Sequence, residues 1–342
     1  MPKNNFKEKK NKKSKSEAGQ KELYVAWWNV ENLFDVEHSK DRTDKLKRTI
    51  GNEIKGWNEI VLTRKLHQLA EVIKGMNGKK GPDLIGMCEV ENAIVLNKLI
   101  DKVRMKTRDY QVAHHDCSDD RGVDVAFIYD ANKLVKGEDF SHVIMKRVAT
   151  RDIYQVNFTM KDNGKPLIVI GNHWPARSAG TLESEPYRIV AGETLAYWNS
   201  RIHEIVGDLA PIIVMGDFND EPFNRSLTDY ALSTNTEEKV INAQKGTPRL
   251  FNMMWKEMSK GIGTNYYQNF PIMLDQFLVS KAFLVDEGNF YVKKKFVEII
   301  REDKMIEGKY GSPKRFGRPS SKLDTNGYSD HFPIGMRIIE RD

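Results

Sequence analysis

The feature that most limits how this chain can fold is a repeated junction between an apolar run and a polar side chain. Near the middle of the 342 residues, the apolar run 212–215 leads through Gly216 into Asp217 and Asn219. Residues two apart in an extended segment point to the same side, so a buried strand ending here would place a carboxylate and an amide at one sheet edge. Taken alone, an Asp-x-Asn sequence is more often a turn or a helix cap.

The same junction recurs along the chain. Strand-like runs end in Asn29, Glu89, His173 and Asp275, and a final run follows Asp330-His331. Six apolar strands would therefore deliver acids, amides and histidines to sheet edges. We expect these side chains to meet at one place, which is the arrangement that a metal-assisted hydrolase requires.

The order of strands and helices predicts an α+β fold. Strand candidates cover residues 23–28, 84–87, 123–129, 153–160, 167–171, 212–215, 276–280 and 335–339. Helical periodicity covers residues 61–76, a segment that begins after Asn92, and about 186–206. Some consecutive strands are joined by a hairpin turn, as at 162–165, and others are separated by helices. This mixture favours two packed mixed β-sheets flanked by helices over one doubly wound parallel sheet.

The net charge of +6 resides in the N-terminal segment. Residues 1–21 contain eight of the 54 basic residues and two of the 48 acidic residues, so the remaining chain is neutral. Residues 1–20 have almost no apolar side chains, and we expect a disordered lysine-rich tail before a single catalytic domain at residues 21–342. The tail is interpreted as a solvated extension, with a weak, salt-sensitive anchor on polyanions as the alternative.

Membrane, export and disulfide signals are not found in the sequence. No run approaches the roughly 18 apolar residues of a membrane span, and no apolar segment follows the basic N-terminus as in a secretory signal. The two cysteines, Cys88 and Cys117, lack metal-ligand spacing and do not form a disulfide framework. These observations predict a cytoplasmic protein. No obligate protein partner is indicated.

The polar residues suit phosphodiester hydrolysis, which needs a hard cation, a base that takes a proton from water, and stabilisation of the leaving oxygen. Mg²⁺ prefers oxygen ligands, usually with one or two carboxylates among them. Glu89, Asp330 and Asn29 are donors of this kind, so Mg²⁺ is the predicted cofactor, with Mn²⁺ and Ca²⁺ as alternatives. Glu91 is an alternative to Glu89, and the segment 114–116 (His-His-Asp) is a less favoured metal cluster.

Several other charged residues are candidates for the same site. Asp275 lies in an apolar strand context, so its charge must be paired or functional, and His331 is the expected partner. Arg177 lies in a loop that would present its guanidinium to a phosphate oxygen, with Arg121 as a weaker candidate. The segment 308–322 carries five basic residues and no acidic residue. It is interpreted as an exposed loop, with a phosphate-facing role as the alternative.

Seven segments occur in an order that resembles a known family. They are 28–32 (Trp-Asn-Val-Glu-Asn), 88–92 (Cys-Glu-Val-Glu-Asn), 122–126 (Gly-Val-Asp-Val-Ala), 171–175 (Gly-Asn-His-Trp-Pro), 216–219 (Gly-Asp-Phe-Asn), 274–277 (Leu-Asp-Gln-Phe) and 329–333 (Ser-Asp-His-Phe-Pro). Together they resemble the endonuclease/exonuclease/phosphatase superfamily, with its DNase I-like fold. The likeness runs from about residue 23 to residue 339 and is greatest to uncharacterised bacterial members described as nuclease-like. The resemblance implies a four-layer α/β sandwich with two packed mixed β-sheets flanked by helices.

The resemblance also implies a metal side of the site and a base. The glutamate that matches Glu89 is the principal metal ligand, helped by positions that match Asn29 and Asp330. The histidine that matches His331 acts as general base or phosphate contact, and the carboxylate that matches Asp275 orients it.

The remaining implied roles concern water and phosphate. Asp217 and Asn219 match the pair that positions the attacking water and the scissile phosphate. His173 matches a position that approaches the phosphate from the opposite side as a second acid or hydrogen-bond donor, and Asp124 is its implied carboxylate partner. The base is therefore either His331 or Asp217, because a histidine titrates near neutrality whereas an aspartate needs burial or a like charge to raise its pKa.

These features predict a Mg²⁺-dependent phosphodiester hydrolase, most simply a nuclease that acts on nucleic acid. The alternative is a phosphoesterase for a small-molecule or lipid-linked phosphate, similar to a sphingomyelinase or a phosphatase. The tryptophan and cysteine that mark inositol phosphatases are missing before Asp275, and His173 and Ala176 replace the tyrosine and asparagine of abasic-site enzymes. A catalytically silent phosphate-binding module is a third reading, and the complete set of acids, amides and histidines argues against it.

Overall fold

The structure is a computed structural model that describes residues 21–341, apart from residues 43, 118, 120, 148, 294 and 296. The predicted tail, residues 1–20, lies outside the described residues. The α-helices are α1 (Asp44–Ile50), α2 (Glu59–Lys79), α3 (Ala93–Val103), α4 (Thr181–Val206), α5 (Glu237–Ile241) and α6 (Trp255–Met258). The strands are β1 (Glu22–Leu33), β2 (Leu84–Val90), β3 (Tyr110–His114), β4 (Asp124–Asp130), β5 (Leu134–His142), β6 (Ile153–Met160), β7 (Pro166–His173), β8 (Ile212–Asp217), β9 (Ser233–Thr234), β10 (Leu250–Asn252), β11 (Asn265–Tyr267), β12 (Phe270–Ile272), β13 (Asp275–Val279), β14 (Phe290–Val292), β15 (Glu298–Ile299), β16 (Ile306–Glu307), β17 (Ser312–Pro313) and β18 (Ile334–Glu340).

The strands form two large mixed sheets. The first has the order β14-β18-β1-β2-β4-β3, with β15 also paired to β18, and β1 and β2 are its parallel pair. The second has the order β5-β6-β7-β8-β13-β10-β9, and its parallel pairs are β7 with β8 and β9 with β10. Two small hairpins, β11-β12 and β16-β17, lie outside these sheets. Both large sheets are mixed, as the sequence predicts.

The two sheets and the helices on their outer faces form four layers, with one apolar core in each of the three spaces between them. One core lies between the sheets and contains Trp27, Phe127, Met215 and Phe277. A second lies between the first sheet and helices α2 and α3, and a third lies between the second sheet and α4. Neighbouring residues of β1 alternate between cores, so that Trp27 enters the core between the sheets and Trp28 enters the helix-covered core. The predicted pair of packed sheets flanked by helices is confirmed.

The sequence locates the main elements closely. Strand β6 has the predicted bounds, and the turn 162–165 joins it to β7. Helix α3 begins after Asn92, whose side chain accepts a hydrogen bond from the backbone N–H of Val95. The predicted start of α4 is wrong, because this helix begins at Thr181 and Pro186 lies inside it. No helix among the described residues combines the length and the apolarity needed to cross a bilayer.

Candidate active site

The strand register places three of the predicted residues side by side. In the second sheet, His173 of β7 pairs with Asp217 of β8, and Asp217 pairs with Asp275 of β13. These three residues end β7, end β8 and begin β13, so they form a row at one edge of the sheet. The β7 and β8 backbones approach closely here, since a Cβ atom at Gly216 would lie 2.5 Å from the carbonyl oxygen of Asn172. Glycine is therefore required just before Asp217.

Irregular backbone at the facing edge of the first sheet turns further side chains toward this row. The pairing of β2 with β4 shifts register between Cys88 and Val90, and the intervening Glu89 has φ of 63°. The pairing of β1 with β2 shifts after Asn29, where Glu31 has φ of 50°. Positive φ is uncommon in residues with a side chain and often marks a functional site. These bulges free Glu89 and Glu31 from regular alternation across the sheet.

His331 is held firmly in the space between the two sheets. Its Nδ1 lies 2.6 Å from Asp275 Oδ2, and the indole of Trp27 donates to Asp275 Oδ1 at 2.9 Å. Trp28 donates to the backbone carbonyl of His331, while Ser329 Oγ accepts from the His331 backbone N–H. Asp330 and His331 precede β18, so they are not bound by the alternation of a regular strand. The ring orientation is fixed, and Nε2 points away from Asp275.

Asp217 lies at the centre of the site. Its Oδ2 is 3.8 Å from Nε2 of His331 and 3.8 Å from Nε2 of His173. The side-chain amide of Asn29 donates to the same oxygen at 3.0 Å, and the backbone N–H of Asn219 donates to Oδ1 at 2.9 Å. The structure thus brings together a carboxylate and two imidazoles that the sequence separates by up to 158 residues.

Carboxylates form the neighbouring part of the site. Glu89 Oε1 lies 3.9 Å from His173 Nε2, and its Oε2 accepts from the backbone N–H of Asn32. Asp330 Oδ2 lies 3.4 Å from a terminal nitrogen of Arg315, and the same guanidinium contacts Glu31 at 2.8 Å. Arg315 thus bridges Asp330 and Glu31, and Glu89 lies beside His173.

The surroundings of Asp217, His331 and His173 shift the pKa values of these three side chains in different directions. Burial raises the pKa of Asp217 to about 6, against the charge of His331. Burial opposes protonation of His331, but the charges of Asp275 and Asp217 raise its pKa well above the usual value. Burial and the charges of Arg151 and Arg121 hold the pKa of His173 well below its usual value. At neutral pH, His331 is therefore the charged imidazole and His173 is the neutral one.

The acidic group has the electrostatics of a cation site. Burial, Glu31 and Glu89 raise the pKa of Asp330 to about 7. Burial also opposes ionisation of Glu89, but Arg121, His331 and Arg151 lower the pKa of that carboxyl overall. The donors are carboxylate oxygens, which Mg²⁺ and Mn²⁺ prefer. A divalent cation bound by these carboxylates would offset the repulsion between their charges, which contributes to the raised pKa of Asp330.

Arg177 braces a loop, so the prediction that it presents its guanidinium to a phosphate oxygen needs correction. Its Nε donates to the backbone carbonyl of Asn219 at 2.6 Å, and a terminal nitrogen donates to Asp220 Oδ1 and Asn224 Oδ1. Asp220 is also 2.8 Å from Nε of the buried Arg188. The two arginines hold the turn that follows Asp217, and the guanidinium of Arg177 is occupied by these contacts.

Asp124 is not the partner of His173. Its Oδ2 lies 3.0 Å from Nε2 of His114, and its Oδ1 accepts from the backbone N–H of Cys117. Among the described residues, no group hydrogen-bonds to the buried Nδ1 of His173. Asp124 begins β4, whose edge neighbour β3 ends in His114, and the strand pairing therefore selects His114. Both cysteines are free.

The structure also locates the two alternative metal-binding candidates, Glu91 and the segment 114–116. Glu91 is buried in an ion pair with Arg42, with both nitrogen–oxygen distances 2.7 Å, so it lies away from the acidic group around Glu89. In the segment 114–116, ligand atoms of His114 and Asp116 lie within 4.8 Å of each other and of Asp124, but the His115 ring stacks on Tyr154.

The sequence did not identify several residues that shape the site. Glu31 is buried and accepts from Arg315 and from the backbone N–H of Phe316, which is 285 residues away. Its position two residues after Asn29 gave no guide, because the bulge in β1 interrupts the alternation of side chains there. Arg151 is buried and donates to the backbone carbonyl of Trp174. Lys65 is fully buried and donates to the carbonyl of Tyr328, and burial lowers its pKa to about 8.

Comparisons with known proteins agree with this geometry. A family model described as "Endonuclease/Exonuclease/phosphatase family" matches residues 24–340. No curated protein matches the chain significantly.

Solved structures share the fold at low sequence identity. An endonuclease/exonuclease/phosphatase family protein from Bacteroides thetaiotaomicron is 16% identical, with a TM-score of 0.55 over 94% of this chain and 99% of its own. The mannosyl-6-phosphatase Bt3783 from the same organism is 18% identical, with a TM-score of 0.52 over 92% and 99%. TDP2 from D. rerio, complexed with a single-strand DNA product, is 13% identical, with a TM-score of 0.53 over 93% and 98%. The DNase I-like fold that the sequence predicts is confirmed.

Proposed function

The chain belongs to the endonuclease/exonuclease/phosphatase family, and from this premise we propose that it is a Mg²⁺-dependent phosphodiester hydrolase that cleaves nucleic acid. The family places it among metal-dependent phosphoric ester hydrolases. The nucleic acid substrate and the identity of the metal as Mg²⁺ go beyond the family assignment and are our proposal. In this proposal, a water attacks phosphorus as Asp217 takes its proton, the P–O bond to the leaving oxygen breaks, and the leaving oxygen takes a proton from solvent.

One observation supports the proposal above all others. Asp217 Oδ2 lies 3.8 Å from the Nε2 atoms of both His173 and His331, and Glu89 lies 3.9 Å from His173. Two carboxylates and two imidazoles thus border one small space, and we assign them the roles of base, phosphate contact, hydrogen-bond donor and metal ligand. Phosphoryl transfer depends on such positioning and on charge stabilisation more than on covalent chemistry.

Glu89 and Asp330 are the carboxylates that we propose for the metal, with Asn29 as the third ligand. The side-chain oxygen of Asn29 accepts from the Glu31 backbone N–H and retains a second lone pair, while its NH₂ group donates to Asp217. A bound divalent cation supplies charge neutralisation at the phosphoryl oxygens. Asn29 would then connect the metal ligands with the base.

Asp217 is the base that the electrostatics favour. Its pKa of about 6 leaves it ionised at neutral pH but basic enough to take a proton from the attacking water. His331, kept protonated by Asp275, would hold a phosphoryl oxygen. Asn219 follows Asp217 in the braced turn and would position the water and the phosphate. His173 would donate a hydrogen bond from the opposite side.

Nucleic acid is the substrate that we propose, because an exposed basic segment lies beside the site. Arg315 lies in the basic segment 308–322, and its side chain is 59% exposed beside Asp330. This agrees with the single-strand DNA product bound by TDP2. A phosphoesterase for a small-molecule or lipid-linked phosphate is the second candidate, favoured by the likeness to a mannosyl-6-phosphatase.

Cleavage of a labelled single-stranded oligonucleotide and of supercoiled plasmid tests the proposal. We expect turnover with Mg²⁺, none with EDTA, and a loss of about 100-fold or more in Glu89→Gln and His331→Gln. His67→Gln, at an exposed helix position, is the control and should match the wild type. Phosphate release from mannose 6-phosphate without nucleic acid cleavage would favour the second candidate. Phosphate binding without any turnover would leave only a phosphate-binding module.

A further inference from the structure

The small hairpin β11-β12 carries two exposed aromatic rings. Tyr267 and Phe270 flank its two-residue turn and pair directly across it. The two residues are 66% and 72% exposed. The central turn residues have positive φ, 49° at Gln268 and 70° at Asn269, as two-residue hairpin turns require. A single exposed aromatic residue is ordinary, but a facing pair on a tight turn is a small apolar platform.

The hairpin is anchored to the acidic group of the candidate active site. The side-chain amide of Asn265 donates to the backbone carbonyl of Asp330 at 2.9 Å. Behind it, Thr264 Oγ1 accepts from the backbone N–H of Asp275. Tyr267 lies two residues beyond Asn265, which is about 7 Å along a strand. The aromatic platform therefore lies two residues along the strand from the contact with Asp330, a proposed metal ligand.

The two faces of the hairpin have different surroundings. Tyr266 and Pro271 lie on one face, and the Tyr266 ring meets Phe332 edge-on with ring centroids 6.4 Å apart. Alternation places Tyr267 and Phe270 on the other face together with Asn265, whose side chain reaches Asp330. The aromatic pair thus belongs to the face that carries the contact with the site.

The same hairpin lies close to the ion pairs of Arg315. Strand β17 packs against β11, and Arg315 follows β17 by two residues. Arg315 is largely exposed and spans the space between Glu31 and Asp330. These two carboxylates already pair with the guanidinium, so the rings supply the binding surface, and a ligand with planar, apolar groups fits them.

We infer that the aromatic platform stacks a nucleobase next to the phosphate that is cleaved, and that the substrate is single-stranded nucleic acid or a frayed strand end. This inference rests on the proposed function. Every base has a π-face that stacks on aromatic side chains, so such a platform tolerates sequence. Bases inside a duplex are covered by their neighbours, whereas single strands can splay their bases outward.

Binding measured separately from cleavage tests the inference. The anisotropy of a fluorescein-labelled oligothymidylate is compared with that of an abasic oligomer of equal length, in EDTA so that turnover is prevented. We expect Tyr267→Ala/Phe270→Ala to lose about 5- to 100-fold in affinity for the oligothymidylate and to leave the abasic oligomer unchanged. The swap Tyr267→Phe/Phe270→Tyr keeps both rings and should keep the affinity.

Tyr197→Ala is the matched control. Tyr197 is an aromatic residue of similar exposure, 57%, and it lies on α4 about 24 Å along the helix axis from Thr181. Equal losses for both oligomers, or a swap variant as weak as the alanine variant, would overturn the inference. So would tighter binding of duplex than of single strand by the wild type. Normal base-dependent binding without Mg²⁺-dependent cleavage would instead contradict the proposed function.

Discussion

Asp275 Oδ2 lies 2.6 Å from Nδ1 of His331, although the two residues come from different sheets of the sandwich. Asp275 begins β13 of the second sheet, and His331 lies three residues before β18 of the first. Trp27, from the first sheet, donates to the other oxygen of the same carboxylate. The catalytic geometry therefore depends on how the sheets pack, and the core between them positions the site.

Asp275→Asn should separate the charge of this carboxylate from its packing. The amide has the same shape and can still accept from Trp27, but it no longer stabilises the imidazolium of His331. We expect kcat to fall by about 10²- to 10⁴-fold with little change in KM, because the charged histidine acts mainly in the transition state. Steady-state kinetics with matched melting curves measure this. A proportional rise in KM would mean that Asp275 serves substrate binding.

The sequence predicted those site residues that directly end an apolar run. Asp217 and His173 are of this kind, because a buried run leaves few places for a polar side chain except the edge. Glu31 was missed because its orientation depends on the bulge in β1. Its partner Arg315 is 284 residues away, and neither propensity nor periodicity reports a contact of that range.

The fold shows the same division between local and long-range information. Strand β6 was predicted to the residue because its apolar positions and its hairpin turn are local signals. Strand β5, Leu134–His142, was missed because five of its nine residues are polar and it contains no continuous apolar run. It is an edge strand whose register is supplied entirely by β6. The pairing of Asp124 with His114 likewise follows from strand neighbours that the sequence does not name.

Glu89→Gln and Glu91→Gln form a matched pair that distinguishes a ligand from a structural carboxylate. In Glu89→Gln, Arg121 loses a nearby charge and Asp330 loses a repulsive one, so we expect stability close to the wild type and activity reduced at least 100-fold. In Glu91→Gln, the buried guanidinium of Arg42 loses its counter-charge, which costs about 3–5 kcal/mol. Denaturant unfolding and initial rates measure the two effects. Similar stability losses in both variants would argue against a metal-binding role for Glu89.

Arg177→Ala should affect kcat more than KM. Arg177 holds the backbone of Asn219 and the side chain of Asp220, so its loss would loosen the turn that carries Asn219. A displacement of about 1 Å can cost on the order of 100-fold in rate. Kinetics at several salt concentrations test this, with Arg225→Ala, on the neighbouring helical turn, as the control. A salt-dependent rise in KM would instead restore the phosphate-binding role.

His142, at the end of the edge strand β5, should make stability depend on pH. It stacks on Trp198 at 4.1 Å and lies 2.9 Å from Gln155, and burial lowers its pKa. Because the folded pKa lies below the unfolded value, stability is complete above about pH 6.5 and falls as the pH drops below it. Melting temperatures from pH 5 to pH 8 should show a smaller acid loss in His142→Gln than in the wild type. The exposed His67→Gln variant should keep the wild-type slope.

Divalent cations should stabilise the folded protein in the absence of substrate. The charges of Glu31 and Glu89 act on Asp330, and a cation bound only by the folded state adds stability by mass action. At 100 times the Kd this amounts to about 2.7 kcal/mol, which is a rise of several degrees in Tm. Thermal melts with Mg²⁺, Mn²⁺ and Ca²⁺ measure the shift, and EDTA should reverse it. Glu89→Gln should lose most of the shift and His67→Gln should keep it, whereas an equal shift in both variants would place the cation elsewhere.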